Sequence, residues 1–184
     1  MINQFTNEVL NEIKTVLSQV NQSEIDLLIE NITTSNTIVT AGAGRVGMAI
    51  KGFAMRLGHM GLNCYNLGDT TLPSIGHGDL FIVASGSGET QTIFDLVQIA
   101  KKNGAKIFLI TGNVGSRMAE LAENKLLIKA PSKTKDISGF KSIQPMTTLN
   151  EQSLGILFDC IVLQIMDELG ETHETMWNRH SNLE

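Results

Sequence analysis

Cysteine is scarce in this chain of 184 residues: there are two, Cys64 and Cys160, in apolar contexts and without CxxC or CxxH spacing. That excludes a disulfide framework and the usual zinc sites, and it fits a reducing cytosol. Positive charge is also sparse, with 14 Lys and Arg against 19 Asp and Glu and a formal charge of -5. A nucleic acid would need a basic face, so it is not the expected partner, and any anionic ligand has to be met by local devices. No apolar run approaches the roughly 20 residues of a membrane span. The first 20 residues mix Glu8, Glu12 and Lys14 into helical spacing, which is not the apolar core of a signal peptide. Repeats and low-complexity segments are missing, and His77 and His173 have no partner at metal-ligand spacing, so no metal is expected. A soluble, cytoplasmic protein without membrane contact is the expectation. With 42% hydrophobic and 18% charged residues, the chain reads as one globular domain over 1–184.

The apolar residues that are present change period along the chain. Phe5, Val9, Ile13, Val16, Leu17 and Val20 recur at three- and four-residue steps, which predicts an amphipathic helix over 4–20. A second helix is expected from a Ser23 cap to about Ile32, so that helices occupy about 4–33. The short β-branched runs "TIVTA", "NCYNL", "DLFIVA", "AKIFLIT" and "KLLIK" follow, with helical patterns at about 45–60, 89–103 and 116–123 between most of them. Strands that alternate with helices and lack two-residue polarity predict a parallel sheet covered on both faces. The fold class is α/β, a three-layer α/β/α doubly wound sandwich with five parallel strands over about 37–128 and extra helices at both termini. A strong helix is expected from about Leu149 to Leu169, with Leu154, Leu157, Phe158, Ile161, Ile165 and Leu169 as its stripe, and C-terminal helices fill about 148–179. Residues 129–145 carry Lys129, Lys133, Lys135 and Lys141 without any period and read as a long surface loop, either solvated or a phosphate-attracting lid. The eight methionines read as core or interface filler.

Two glycine turns follow adjacent predicted strands, at the sheet edge where ligands of such folds sit. "Gly42-Ala43-Gly44-Arg45-Val46-Gly47" fits the dinucleotide pattern GxGxxG between strand and helix. A ribose-binding acid would then be needed at the end of the next strand. Asn66 stands there and Asp69 comes slightly late, so the glycines serve equally well to permit a tight turn and a close helix–strand contact. "Ser85-Gly86-Ser87-Gly88-Glu89-Thr90" concentrates three hydroxyls around two glycines at a helix start. Outward amides and the positive end of the helix make such a turn an anion nest, suited to a phosphate monoester. A helix cap from Ser87 or Thr90 is the structural alternative, and a Walker loop is excluded because no GK[ST] follows.

"SGSGET" after a buried strand resembles the phosphate loop of the sugar isomerase (SIS) family. Together with "AGAGRVGMAIKGFAMRLGHMG", "SIQPMTTLNEQ" and the ending "HSNLE", the chain is similar over nearly its whole length to the 6-phospho-3-hexuloisomerases. The resemblance implies interconversion of D-arabino-hex-3-ulose 6-phosphate and fructose 6-phosphate in the ribulose monophosphate route of formaldehyde fixation. It also implies a homotetramer, no metal or other cofactor, and coupling to the hexulose-6-phosphate synthase that supplies the substrate. Carried over by position, Ser85, Gly86, Ser87, Gly88 and Thr90 would bind the phosphate, with Gly44 and Arg45 near the sugar or phosphate end. Glu151 would be the base and His59 an assisting acid or base. Many SIS enzymes place a hydroxyl in the first turn, where this chain has Ala43, Gly44 and Arg45.

Spacing leaves alternatives to each of these roles. Thr148-Leu149-Asn150-Glu151 is also a T-x-x-E capping box, and Glu89 beside the phosphate loop is a rival base. Arg45 and His59 share one helix face but are separated by about 21 Å along it at 1.5 Å per residue. One sugar cannot touch both, so His59 serves a neighbouring subunit in a symmetric oligomer or packs without chemistry. His180 either packs on a partner subunit or has no role. A phosphosugar sensor without turnover and a nicotinamide dehydrogenase are the competing functions.

Overall fold

The computed structural model describes residues 1–131 and 141–183; Lys133 and Lys135 of the lysine-bearing segment lie outside the described residues. Two helices, α1 (Ile2–Leu17) and α2 (Gln22–Thr34), precede β1 (Ile38–Gly42) and α3 (Gly44–His59). Then come β2 (Cys64–Asn66), β3 (Leu80–Ala84), α4 (Gln91–Lys102), β4 (Lys106–Thr111), α5 (Arg117–Leu121) and β5 (Asn124–Leu127). The chain closes with α6 (Thr148–Leu169) and the short α7 (His173–Trp177). The five strands form one parallel sheet in the order β2-β1-β3-β4-β5. The order reverses between β1 and β3, which leaves a crevice outside their carboxyl ends.

Alternate residues of each strand feed separate cores, as the two-residue period of a strand requires. Ile38, Leu80, Ile82, Phe108, Ile110 and Leu126 pack with α1, α2, α3 and α6. Val39, Ala41, Phe81, Val83, Ile107 and Leu109 pack with Ile93 and Val97 of α4 and Met118 of α5. Both sheet faces are therefore apolar, the reason the strand runs show no polar alternation. Phe53 of α3 stacks on Phe158 of α6, ring centroids 4.4 Å apart, and so fixes α6 across the first layer. Burial pushes the Cys64 thiol up to about 12, so it stays protonated through the neutral range.

Local differences from the expected elements have clear causes. The cap of α2 is Asn21, whose side chain accepts from the Ser23 amide and hydroxyl, so the cap stands two residues before the expected serine. Leu169 ends the α6 stripe at 40% exposure, and Phe5 on α1 is 50% exposed, because the described protomer offers nothing to cover them. Met48 and Met55 of α3, and Ile156 and Leu163 of α6, are likewise exposed.

The turn after β1 is built on a close approach. A Cβ placed on Gly47 would lie 2.6 Å from the Gly42 carbonyl oxygen, a backbone atom that cannot swing aside. Gly47→Ala should therefore cost about 1–3 kcal/mol, as overpacking of a close contact does, read as a lowered urea midpoint. Gly58→Ala, on the same helix with nothing within 4 Å, should be neutral or slightly stabilising through helix propensity.

Candidate functional site

A cleft of about 380 Å³ opens at the switch point, bounded by Gly44 and Arg45, by Ser85, Gly86, Ser87 and Thr90, and by the start of α6 from Met146 to Glu151. The sequence-predicted residues Gly44, Arg45, Ser85, Gly86, Ser87, Thr90 and Glu151 are thus brought together from three separate chain segments. Gly88 lies just behind, buried, at φ +65. A Cβ there would meet the Ser116 hydroxyl at 2.0 Å, so both backbone conformation and space demand glycine.

The hydroxyl turn is ordered from within. Ser85 Oγ accepts from the Gly88 amide at 3.1 Å and Ser87 Oγ from the Glu89 amide at 3.2 Å. With each oxygen engaged as an acceptor, its proton is left to donate to something else. Neither serine caps α4. Its N-cap is Thr90, whose side chain makes no capping bond although it lines the cleft. The same holds for Ala43 at the start of α3 and Thr147 at the start of α6. By contrast α2, α5 and α7 are capped by the side chains of Asn21, Ser116 and Thr172. Three helix starts with first-turn amides free of side-chain caps thus face one cleft, and each presents the positive end of its dipole.

Glu151 occupies the opposite wall. Its Oε1 accepts from the Thr147 hydroxyl at 2.7 Å and its Oε2 lies 3.1 Å from Arg45 Nη1. The side chain retains 15% exposure, enough to be reached from the cleft. The T-x-x-E capping box is not formed: the N-cap is Thr147, one residue earlier, and the Thr148 hydroxyl donates to the Pro145 carbonyl at 2.7 Å. The chain enters this helix through Met146 at φ 58, an uncommon left-handed conformation for a side chain with a Cβ. Asn150 and Thr147 were not singled out from the sequence. Only their position beside Glu151 in "TTLNEQ" could have drawn attention to them.

Other candidates lie elsewhere. Glu89 points to α5, where it accepts from the Arg117 amide at 2.9 Å and from Arg117 Nε at 2.7 Å, and those bonds hold its carboxyl below the usual range. It does not line the cleft. His59 sits at the far end of α3, its ring 5.0 Å from that of His180, beside a second cavity of about 440 Å³ that also holds Arg56, His173 and Trp177. Its carbonyl accepts from Arg179 Nη1, which also pairs with Glu171 and so ties the tail to α3. Asn66 and Asp69, the residues closest to a ribose-binding position, are used by the turn: Asn66 Oδ1 accepts from Thr40 Oγ1 at 2.8 Å and Asp69 Oδ2 from the Asn66 amide at 2.8 Å. Among the described residues no group of three or more His, Cys, Asp or Glu could hold a metal ion, and no helix is long and apolar enough to cross a membrane.

Comparison with known proteins places this geometry in a family. Residues 31–154 match the SIS domain. The chain is 39% identical over 183 residues to the 3-hexulose-6-phosphate isomerase of Bacillus subtilis (strain 168), covering 98% of both chains. It is 37% identical over 176 residues to the enzyme of the same name from Mycobacterium gastri, covering 96% of this chain and 88% of that one. A crystal structure from Methanococcus jannaschii, described as inferring a 3-hexulose-6-phosphate isomerase function, superimposes with a TM-score of 0.86 at 30% identity, over 98% of this chain and 99% of that one. The cleft at the strand switch point, with its hydroxyl loop, is therefore that of an SIS domain, and this chain belongs to the SIS domain family as a relative of the 3-hexulose-6-phosphate isomerases.

Proposed function

We propose that the chain interconverts D-arabino-hex-3-ulose 6-phosphate and fructose 6-phosphate by proton transfer through an enediol, the step that follows hexulose 6-phosphate synthesis in formaldehyde fixation. The observation that carries the reading is the convergence of three helix starts, none with a side-chain cap, on a cleft with one carboxylate opposite a hydroxyl loop. The loop of Ser85, Gly86, Ser87, Gly88 and Thr90 takes the phosphoryl group. Free amides and hydroxyl donors there compensate a dianion without any basic face. Relatives named for this reaction over nearly the full chain support the assignment.

Moving the carbonyl from C3 to C2 removes the proton on C2 and returns one at C3. Glu151 is the group in the cleft able to do both. Thr147 and Arg45 engage one oxygen each and so fix the carboxylate plane. Arg45, 3.1 Å from that carboxylate, also supplies positive charge next to the carbons where the enediolate oxygen develops. A 3-ketose phosphorylated on its C6 oxygen cannot close a five-membered ring through that oxygen, so this substrate is handled open-chain. A ring-opening acid is needed only from the fructose 6-phosphate side, and His59 of an adjacent subunit is the group assigned to it. The exposed apolar residues Met48, Met55, Ile156 and Leu163 on α3 and α6 support an oligomer, proposed as a homotetramer acting in the cytoplasm.

Three outcomes test this reading. Fructose 6-phosphate incubated with the protein in deuterated water should acquire label at C3, and the 3-hexulose formed should carry label at C2; an unlabelled sugar pool at long times would exclude enediol chemistry. Glu151→Gln should keep phosphosugar binding and lose roughly 10²–10⁴-fold in kcat, and a variant with wild-type turnover would assign the base elsewhere. If His59 completes a neighbour's site, then Glu151→Gln and His59→Gln proteins, each impaired alone, should regain activity when dissociated and reassembled together. Random assembly restores about one quarter of the sites, whereas no recovery would remove His59 from the chemistry.

A further inference from the structure

Asn150 is 3% exposed, yet it lines the cleft. Among the described residues no group hydrogen-bonds its carboxamide. Its polar atoms are not sealed from solvent but open onto the cleft, so a ligand there can take up the bonds that the protein leaves unmade. Ser153, one turn further along α6, also has an unpartnered oxygen, but that atom is sealed away from the cleft. Asn150 alone of the two can be reached by a ligand.

Its location says what part of a ligand it meets. A Cβ on Gly86 would lie 3.1 Å from Asn150 Oδ1 and 3.8 Å from Nδ2, so the carboxamide stands over the phosphate loop. The next residue, Glu151, turns about 100° around the helix toward Arg45. Asn150 thus lies between the phosphoryl seat and the carboxylate. A carboxamide offers both donors and an acceptor, as a sugar hydroxyl does, so it suits a hydroxyl better than a purely accepting oxyanion.

We infer that Asn150 is a specificity-determining residue, whose side chain hydrogen-bonds the hydroxyl on C4 or C5 of the open-chain sugar. The inference rests on the isomerase reading: with phosphate on the 85–90 loop and C2 and C3 at Glu151, C4 and C5 are the carbons that pass Asn150. The bound hydroxyl supplies the partner the fold withholds. A sugar lacking it leaves the amide buried and unpaired, and that discriminates more strongly than a change in apolar contact.

The experiment compares kcat/KM of wild type and Asn150→Leu on fructose 6-phosphate and on its 4-deoxy and 5-deoxy analogues. Differences in ring opening between the sugars, including the loss of the furanose in the 5-deoxy analogue, cancel in the ratio of variant to wild type on each sugar, which is the deciding quantity. Wild type should prefer fructose 6-phosphate over one of the analogues by at least tenfold. Asn150→Leu should lose about 10–100-fold on fructose 6-phosphate and stay within a few-fold of wild type on that analogue. Its Tm should be unchanged or higher, because no hydrogen bond of the described residues is lost and an apolar side chain replaces a polar one. Equal losses on all three sugars, no loss at all, or a lowered Tm with unchanged selectivity would overturn the inference. Asn150→Ala carries the comparison if the leucine variant fails to fold. Deuterium exchange by the wild type separates the two levels: without it the isomerase reading fails, whereas exchange with unaltered selectivity in the variant removes only the role of Asn150.

Discussion

The site depends on the direct exposure of main-chain amides at three helix starts. In this parallel sheet the helices that follow β1 and β3 begin at the carboxyl edge, and at the switch point those two strand ends lie side by side. Here α3 and α4 begin there, and α6 is brought in from the first layer by packing on α3. The starts of α2, α5 and α7 are instead sealed by Asn21, Ser116 and Thr172. At the cleft the potential caps are either absent, as with Ala43, or turned to other work, as with Thr147, whose hydroxyl holds Glu151. On the proposed reading, those unfilled donors let a chain of net charge -5 receive a phosphorylated sugar.

The carboxylate wall shows a second constraint. Thr147 spends its hydroxyl on Glu151 and the preceding Met146 adopts a left-handed backbone, so the entry to α6 forgoes both a cap and a relaxed turn. Strain and a missing cap at one helix entry are costs carried by the rest of the fold. The apolar layers supply the surplus. Phe108, Phe158, Leu80 and Ile82 are essentially inaccessible, and they gather beneath the same helices that form the cleft.

The architecture was legible in the sequence because a sheet covered on both faces writes itself as short β-branched runs such as "DLFIVA" and "AKIFLIT". The hydroxyl loop was legible because three hydroxyls around two glycines exceed what a helix cap requires. The wall at α6 was harder to read. Thr148-x-x-Glu151 matched a capping box in spacing, but the box formed by spacing alone presumes where the helix begins, and Thr147 begins it one residue earlier. Glu89 looked equivalent to Glu151 in type; only the fold reveals that Arg117, 28 residues on, claims both of its oxygens. Asn150 gave no signal beyond its place beside Glu151, since nothing local shows which amide of a helix start will line a cleft. The distance between Arg45 and His59 followed from helix geometry alone. Whatever His59 does, its place at the other end of α3 keeps it out of the cleft of its own protomer.

The contact between Gly47 and the Gly42 carbonyl has an evolutionary corollary. It makes the base of the turn that carries residues 43–46 to the cleft backbone against backbone, where no side chain can be inserted. Variation in what the cleft admits is left to the side chains that line it, on Arg45 and Val46, on the 85–90 loop and on the 146–151 entry of α6. Members of such a lineage would diversify by exchanging those side chains, while the glycine pair beneath them stays fixed.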